Sequence, residues 1–222
     1  RLGQLAEGEN AWLKLEKGGR IHGSVNPCGC VSTRCTHSKP NMSQVPSVGS
    51  PWGKECRELF KVESGNVLVG ADMSGLELRM LAHYVHPYDQ GRYIEEILNG
   101  DIHTANQEAA GLDTRNQAKT FIYAFLYGAG DEKIGSVVGG GRTAGRRIKQ
   151  QFLRRMPGIQ KLQQAIKIAI RQRPYLVALD GRKLKIRSEH SALNLLLQSA
   201  GSIAMKKATV NLWNYLSHMQ LG

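Results

Sequence analysis

Apolar and polar positions change their rhythm along the 222-residue chain. Residues 1–66 show no sustained period and are rich in Gly, Pro, Ser and Asn, as in GSVNPCGC and SKPNMSQVPSVGSPWGKE, which predicts short strands joined by loops. The run NVLVGAD comes next, apolar and ending in an acid, and predicts a buried strand that delivers Asp72 to the edge of a sheet. From Ser74 the spacing turns helical, with Leu76, Leu78, Met80, Leu81 and Val85 apolar. Ser74 and Glu77 stand at the spacing of a capping box for that helix start.

Gly91 and Gly100 bracket a further short helix, and LDTRNQAKTFIYAFLYGAG gives the clearest helix of all. Thr114 and Gln117 have capping-box spacing, Phe121, Ile122, Phe125 and Leu126 supply the apolar face, and Gly128 with Gly130 supplies the stop. Helices are also predicted over Thr143 to Arg155 and Gly158 to Arg171. VALDGRKLKIR reads as a hairpin turning at Asp180-Gly181, and Ser191 to Leu216 as a long, largely apolar helix. The fold class is therefore α/β in the broad sense, of the α+β kind, with sheet fragments flanking a helical insert.

The length allows a sizeable core, and 41% hydrophobic with 22% charged residues fits a soluble globular protein. No apolar run approaches the roughly 18 residues of a membrane span, so no membrane partner is expected, and the expected location is the cytoplasm, that of the host if the chain is viral. The first residues lack an initiator Met and read as the middle of a larger reading frame. Cys28, Cys30 and Cys35 cluster ahead of His37, but C-x-C-x4-C-x-H is not a usual zinc spacing and reduced thiols are the better reading.

Charge changes the picture more. Thirty Lys and Arg against 18 Asp and Glu leave +12, which favours a polyanionic partner. From Glu132 to Arg187 there are 15 Lys or Arg and only two acids, Glu132 and Asp180. Solvated helix faces usually mix signs, so a phosphate backbone nearby is the better explanation of this stretch.

Arg115, Lys119 and Tyr123 recur every four residues and share one helix face, with Tyr127 drifting further round. Two cations and a ring suit a nucleoside triphosphate, but spacing alone favours a surface ion-pair stripe, although that helix carries no acid to complete one. Asp72 at a strand end would suit magnesium or merely cap a turn. In GGGRTAG, Gly140 and Gly145 have phosphate-loop spacing, but Arg146 and Arg147 stand where Lys and Ser or Thr belong, which argues against a Walker loop.

Taken together, DMSGLELRMLAHY from Asp72, NGDIHTANQ from Asn99, RNQAKTFIYAFLYGAGDEKIG from Arg115 and SALNLLLQSAG from Ser191 resemble family A DNA polymerases, nearest their T-odd-like phage branch. GRIHGSVNPCGCVSTRCTHSKPNMSQVPS looks like the same family's entry into the palm. The resemblance covers nearly the whole chain in family order. It implies a first palm part over residues 1–95 with a thumb remnant at its start, fingers over 96–175 and a return to the palm over 176–222 that stops before the family's third motif.

The resemblance further implies that Asp72 and the Met73 carbonyl bind magnesium, two ions being expected, for transfer of a nucleotide from a dNTP to a primer 3′-OH. It places Gly75 and Leu76 beside the incoming nucleotide, Glu77 as the gate against a ribose 2′-hydroxyl, and His103, Arg115 and Lys119 on the triphosphate, with Lys119 also protonating the departing pyrophosphate. Tyr123 would stack near the sugar, Tyr127 and Gly128 would meet the template base, and Arg34, Asn194 and Gln198 would contact primer-template DNA. The family's third motif, a His-Asp-Glu turn with the second metal-binding carboxylate, finds no match, since no Asp or Glu follows Glu189. The expectation is a polymerase fragment completed by a second polypeptide that carries the rest of the palm; the alternative is a non-catalytic module that binds DNA and nucleotide.

Overall fold

The computed structural model describes residues 1–219, and the chain separates into two compact units, Arg1–Met73 and the part from Ser74 onward. Among the described residues the fold is α+β, with helices throughout and three small antiparallel strand pairs.

In the first unit a π-helical turn, Gly3–Glu7, and helix α1, Trp12–Leu15, lead into a hairpin of β1, Glu16–Lys17, and β2, Arg20–Ile21. Gly18 and Gly19 form its turn, both at positive φ (60° and 78°), a conformation that glycine adopts without steric cost. A second hairpin joins β3, Ser24–Asn26, to β4, Thr36–Ser38, in the register Ser24↔Ser38, Val25↔His37 and Asn26↔Thr36. Helix α2, Gly53–Glu58, follows. Trp12 is buried with its ring 5.1 Å from that of Phe60 in an edge-on contact, and Ala11 and Cys56 are buried as well. Short strands and loops were expected over this stretch, whereas α1 and α2 carry too few residues for a readable period.

The strand expected over NVLVGAD does not form. Val67, Leu68 and Val69 lie outside any strand and are 83%, 84% and 84% exposed. Apolar β-formers give a segment the propensity for a strand, but a strand exists only when a neighbour accepts its ladder of hydrogen bonds, and no described residue does so here.

The second unit is built on α3, Leu76–Asp89; α4, Arg92–Leu98; α5, Ile102–Ala110; α6, Arg115–Leu126; α7, Asp131–Gly135; α8, Arg142–Arg155; α9, Pro157–Gln172; and α10, Ala192–His218. Strands β5, Tyr175–Val177, and β6, Lys183–Lys185, form the expected hairpin, with Gly181 at φ 83° in its turn. The core runs through α3, α5, α6, α8, α9 and the first half of α10, and its fully buried centre includes Leu78, Leu81, Phe121, Ile122, Phe152 and Leu197. Among the described residues, no helix is long and apolar enough to cross a membrane.

Start signals separate one correct expectation from one incorrect one. At α6 the capping box is complete: Thr114 Oγ1 accepts from the Gln117 amide at 3.2 Å, and the Gln117 side chain accepts from the Thr114 amide at 3.1 Å. At α3 no capping box exists. Gly75 is the cap residue, in the left-handed region at φ 60°, and no side chain caps the helix. The helix therefore begins at Leu76, which puts Glu77 one position too early for a box. Ser74 only offers its carbonyl, which accepts from Arg79 Nε at 2.9 Å.

Candidate functional site

Helix α6 organises the site because its two faces differ. Ala118, Phe121, Ile122 and Phe125 are buried, and Phe121 and Phe125 pack edge-on against Phe152 of α8, at ring separations of 5.1 and 5.2 Å. With that face locked into the core, the opposite one turns outward and carries Arg115 and Lys119, both exposed, and Tyr123, half-buried. Tyr127 closes the helix and is 49% exposed.

Two groups of side chains gather along this outward face. At its N-terminal end stand Arg115, Lys119 and His103, the last from the first turn of α5. Burial chiefly, and then the positive charges of Arg115 and Lys119, hold the imidazole of His103 below its ordinary pKa, so at neutral pH it carries no charge. Its Nδ1 is enclosed without a hydrogen-bond partner. At the C-terminal end, burial foremost, then the negative charge of Glu77 and the Tyr127 hydroxyl, push the Tyr123 hydroxyl above its usual value, which brings Glu77 of α3 into electrostatic range of Tyr123. Gly75 and Leu76, at the start of α3, are half-buried beside Glu77 in sequence.

Asp101 completes the N-terminal group, and spacing along the chain did not reveal it. Its carboxylate accepts from Arg115 Nε at 2.7 Å and from Nη2 at 3.2 Å. The side-chain bond from Arg115 is the main reason that Asp101 titrates far below the usual carboxylate range, and the same pair raises Arg115. The sequence signal was present in the GDIH run, where an acid two residues before His103 can cap a helix.

Gly128 follows α6 at φ 75°, and a Cβ there would lie 2.4 Å from the His190 carbonyl oxygen. That close approach presses the turn after Tyr127 against the segment leading into α10. Asn194 and Gln198, one helical turn apart on α10, are half-buried. A Cβ at Gly201 would lie 3.2 Å from the Leu76 side chain, so α10 packs closely against the start of α3. In the first unit, Arg34 is exposed in the loop between β3 and β4, and Asp72 and Met73 are exposed outside any regular element.

Not all of the basic stretch is available to a partner. Lys149 donates to the Ala129 carbonyl and to Asp131, both at 3.0 Å, Arg155 donates to the Glu108 carbonyl at 2.9 Å, and Lys167 pairs with Glu189 at 3.1 Å. These cations tie helices together, whereas Arg142, Arg147, Arg154, Lys161 and Arg171 remain exposed. Among the described residues, no three His, Cys, Asp or Glu side chains come together as metal ligands, at Cys28 to His37 or elsewhere.

Comparison with known proteins meets this geometry at the level of the whole chain. The model of DNA polymerase family A matches residues 9–222. The chain belongs to that family. It is 49% identical to the DNA-directed DNA polymerases of Enterobacteria phage T3 and of Escherichia phage T7, over 93% of this chain and 32% of each of those proteins. It is 28% identical to DNA polymerase I of Chloroflexus aurantiacus, over 91% of this chain and 23% of that protein. The family A chain thus spans about a third of the length, or less, of these curated relatives. Among solved structures it resembles the POL domain of Pol1 from M. smegmatis, in complex with DNA primer-template and dNTP, with a TM-score of 0.75 at 20% identity, covering 93% of this chain and 40% of that one. At that identity the likeness concerns the fold.

Proposed function

We propose that this chain is part of an enzyme of DNA-templated DNA synthesis, transferring a nucleotide from a dNTP to a primer 3′-OH. The observation that carries the reading is the outward face of α6: two cations and a half-buried ring at four-residue spacing, with neutral His103 at one end and Glu77 at the other. In this reading residues 1–95 and 176–222 are palm and residues 96–175 are fingers.

Arg115 and Lys119 bind the triphosphate and offset the charge that builds on it during transfer, and His103 donates a hydrogen bond to it as a neutral ring. Lys119 gives its proton to the departing pyrophosphate. Tyr123 stacks near the sugar, and Glu77, with Gly75 and Leu76 beside it, excludes a 2′-hydroxyl. Tyr127 and Gly128 meet the template base, and Arg34, Asn194 and Gln198 hold primer-template DNA through the minor groove. The exposed cations of α8 and α9 face template phosphates. The reaction takes place in the cytoplasm of a host cell.

Magnesium is the cofactor that family membership implies, and it would supply neutralisation of phosphate charge. The described residues do not on their own fit a two-ion site: Asp72 and Met73 are exposed, and among the described residues no group of three or more His, Cys, Asp or Glu surrounds them. The remaining ligands would come from a segment outside the described residues, on a second polypeptide in the strongest form of the proposal. The same observation favours one other reading, a module that binds DNA and nucleotide without turnover.

Primer extension on a short primer-template with magnesium and four dNTPs, with DNA binding followed in parallel, separates the readings. The polymerase reading expects extension once the missing carboxylate is supplied by the rest of the palm. It also expects Lys119→Ala to slow incorporation by roughly 10²- to 10³-fold, the scale of one lost donor at a developing charge. DNA binding without extension under any complementation leaves the non-catalytic module, and unchanged incorporation by Lys119→Ala overturns the assignment of α6.

A further inference from the structure

Asp101 holds more hydrogen bonds than helix capping requires. Oδ1 accepts from the His103 amide at 3.0 Å and from Arg115 Nη2 at 3.2 Å, and Oδ2 accepts from the Thr104 hydroxyl at 3.0 Å and from Arg115 Nε at 2.7 Å. A carboxylate has about four acceptor positions, and all are in use. Two of the four donors belong to the first turn of α5, so the carboxylate is fixed to its own helix before Arg115 reaches it. Arg115 arrives from the first turn of α6, 14 residues away.

The geometry at Arg115 is equally specific. Asp101 takes the edge formed by Nε and Nη2. A guanidinium has five N–H donors, so three remain, two on Nη1 and one on Nη2, and they form the fork at the tip of the side chain. Among the described residues that fork has no partner, and Arg115 is exposed. The Asp101 contact therefore fixes the plane and direction of the guanidinium without consuming the end that suits a phosphate. It also ties that direction to the amide of His103, the other phosphate ligand at this end of the face.

We propose that Asp101 is the positioning residue of the triphosphate site: a helix-capping carboxylate that pre-orients Arg115 toward a phosphate and couples it to the start of α5. This rests on the reading of Arg115 as a triphosphate ligand. Asp101 lies in none of the triphosphate roles assigned above, and its own partners are the His103 amide, the Thr104 hydroxyl and Arg115. A long, exposed arginine is otherwise free to sample many rotamers, and ordering it on binding opposes affinity; prior fixing removes that cost.

The test uses the 222-residue chain with primer-template DNA, magnesium and a fluorescent dNTP, comparing wild type with Asp101→Asn, Asp101→Ser, Arg115→Ala and the Asp101→Asn/Arg115→Ala pair. Asn and Ser both remain good caps, so α5 keeps its start, while the charged two-point contact is lost. The expected result is about tenfold weaker nucleotide binding in Asp101→Asn and Asp101→Ser, on the scale of one charged hydrogen bond. The double variant should bind no more weakly than Arg115→Ala, and thermal midpoints should stay close to wild type. The Arg115 Nε–H resonance should exchange slowly enough to be seen by NMR in wild type and be lost from the spectrum of Asp101→Asn.

Equal or tighter binding by Asp101→Asn, with Arg115→Ala weakened, overturns the proposal, because the carboxylate would then be idle or would be holding Arg115 back. A loss that persists on the Arg115→Ala background also overturns it, since Asp101 would be acting through the fold alone. If wild type binds no nucleotide, or Arg115→Ala and Lys119→Ala leave binding unchanged, the nucleotide reading of α6 itself fails and takes the proposal with it.

Discussion

Phe152 tests the mechanical basis of the site. Its side chain is fully buried on α8, and its ring meets Phe121 at 5.1 Å and 79° and Phe125 at 5.2 Å and 71°, both on the inner face of α6. Truncation to alanine in such a place removes the transfer energy of the ring and leaves a cavity, at a cost of about 3–5 kcal/mol. The two edge-on contacts, each about 0.5–1.5 kcal/mol, are part of that figure and put Phe152→Ala near its upper end. Against a total of about 5–15 kcal/mol for a domain, this is a large fraction. Phe152→Leu keeps much of the volume and should cost about 1–2 kcal/mol, mostly the aromatic geometry. Urea unfolding followed by helical circular dichroism reads both, as a fall in midpoint at constant slope. Nucleotide affinity should fall with stability in the Ala variant, because the face carrying Arg115 and Lys119 is held outward only while the other face is docked. A Phe152→Ala cost below about 1 kcal/mol, or an Ala variant no worse than Leu, would refute this account of how α6 is held.

Gly128→Ala places a Cβ 2.4 Å from the His190 carbonyl at a residue with φ 75°, so it should lose at least the roughly 1–2 kcal/mol of left-handed strain and weaken primer-template binding; a variant as stable as wild type in thermal unfolding refutes the close approach. Glu77→Ala should let ribonucleotides compete in an extension assay while changing stability by no more than about 0.5 kcal/mol, because no side chain caps α3; retained discrimination refutes the gate. His103 should titrate by NMR below the value of about 6.5 found in unfolded chains, since burial and the adjacent cations disfavour its charged form. Its folded pKa lies below the unfolded one, so the unfolded state binds more protons between the two; stability should fall as pH drops below about 6.5, and His103→Gln should remove that part of the slope. A His103 pKa at or above the unfolded value refutes the enclosure of the ring.

What could be read from the residues and what could not divide along the range of the interaction. The face of α6 was legible because one periodicity does two things: the spacing that buries Ala118, Phe121, Ile122 and Phe125 turns Arg115, Lys119 and Tyr123 the other way. The Thr114–Gln117 box and the Asp180–Gly181 turn were legible for the same reason, their partners lying within four residues. At Gly75 a single left-handed residue moves the helix start by one position, and a box drawn on Ser74 and Glu77 dissolves, since pattern does not report φ. Residues 67–69 have every local mark of a strand, yet pairing belongs to two segments at once and cannot be read from one of them. Asp101 failed for the complementary reason. A search for the acid that meets Arg115 along α6 finds none, because the carboxylate arrives from the first turn of α5, where its local signature is an ordinary helix cap. Helix caps are anchored by their own backbone, and that is what makes a cap a good place from which to aim a side chain of a neighbouring helix. Acids in cap positions ahead of a cationic helix face are therefore the first residues to examine when a face of like charges has no counter-ion on its own helix.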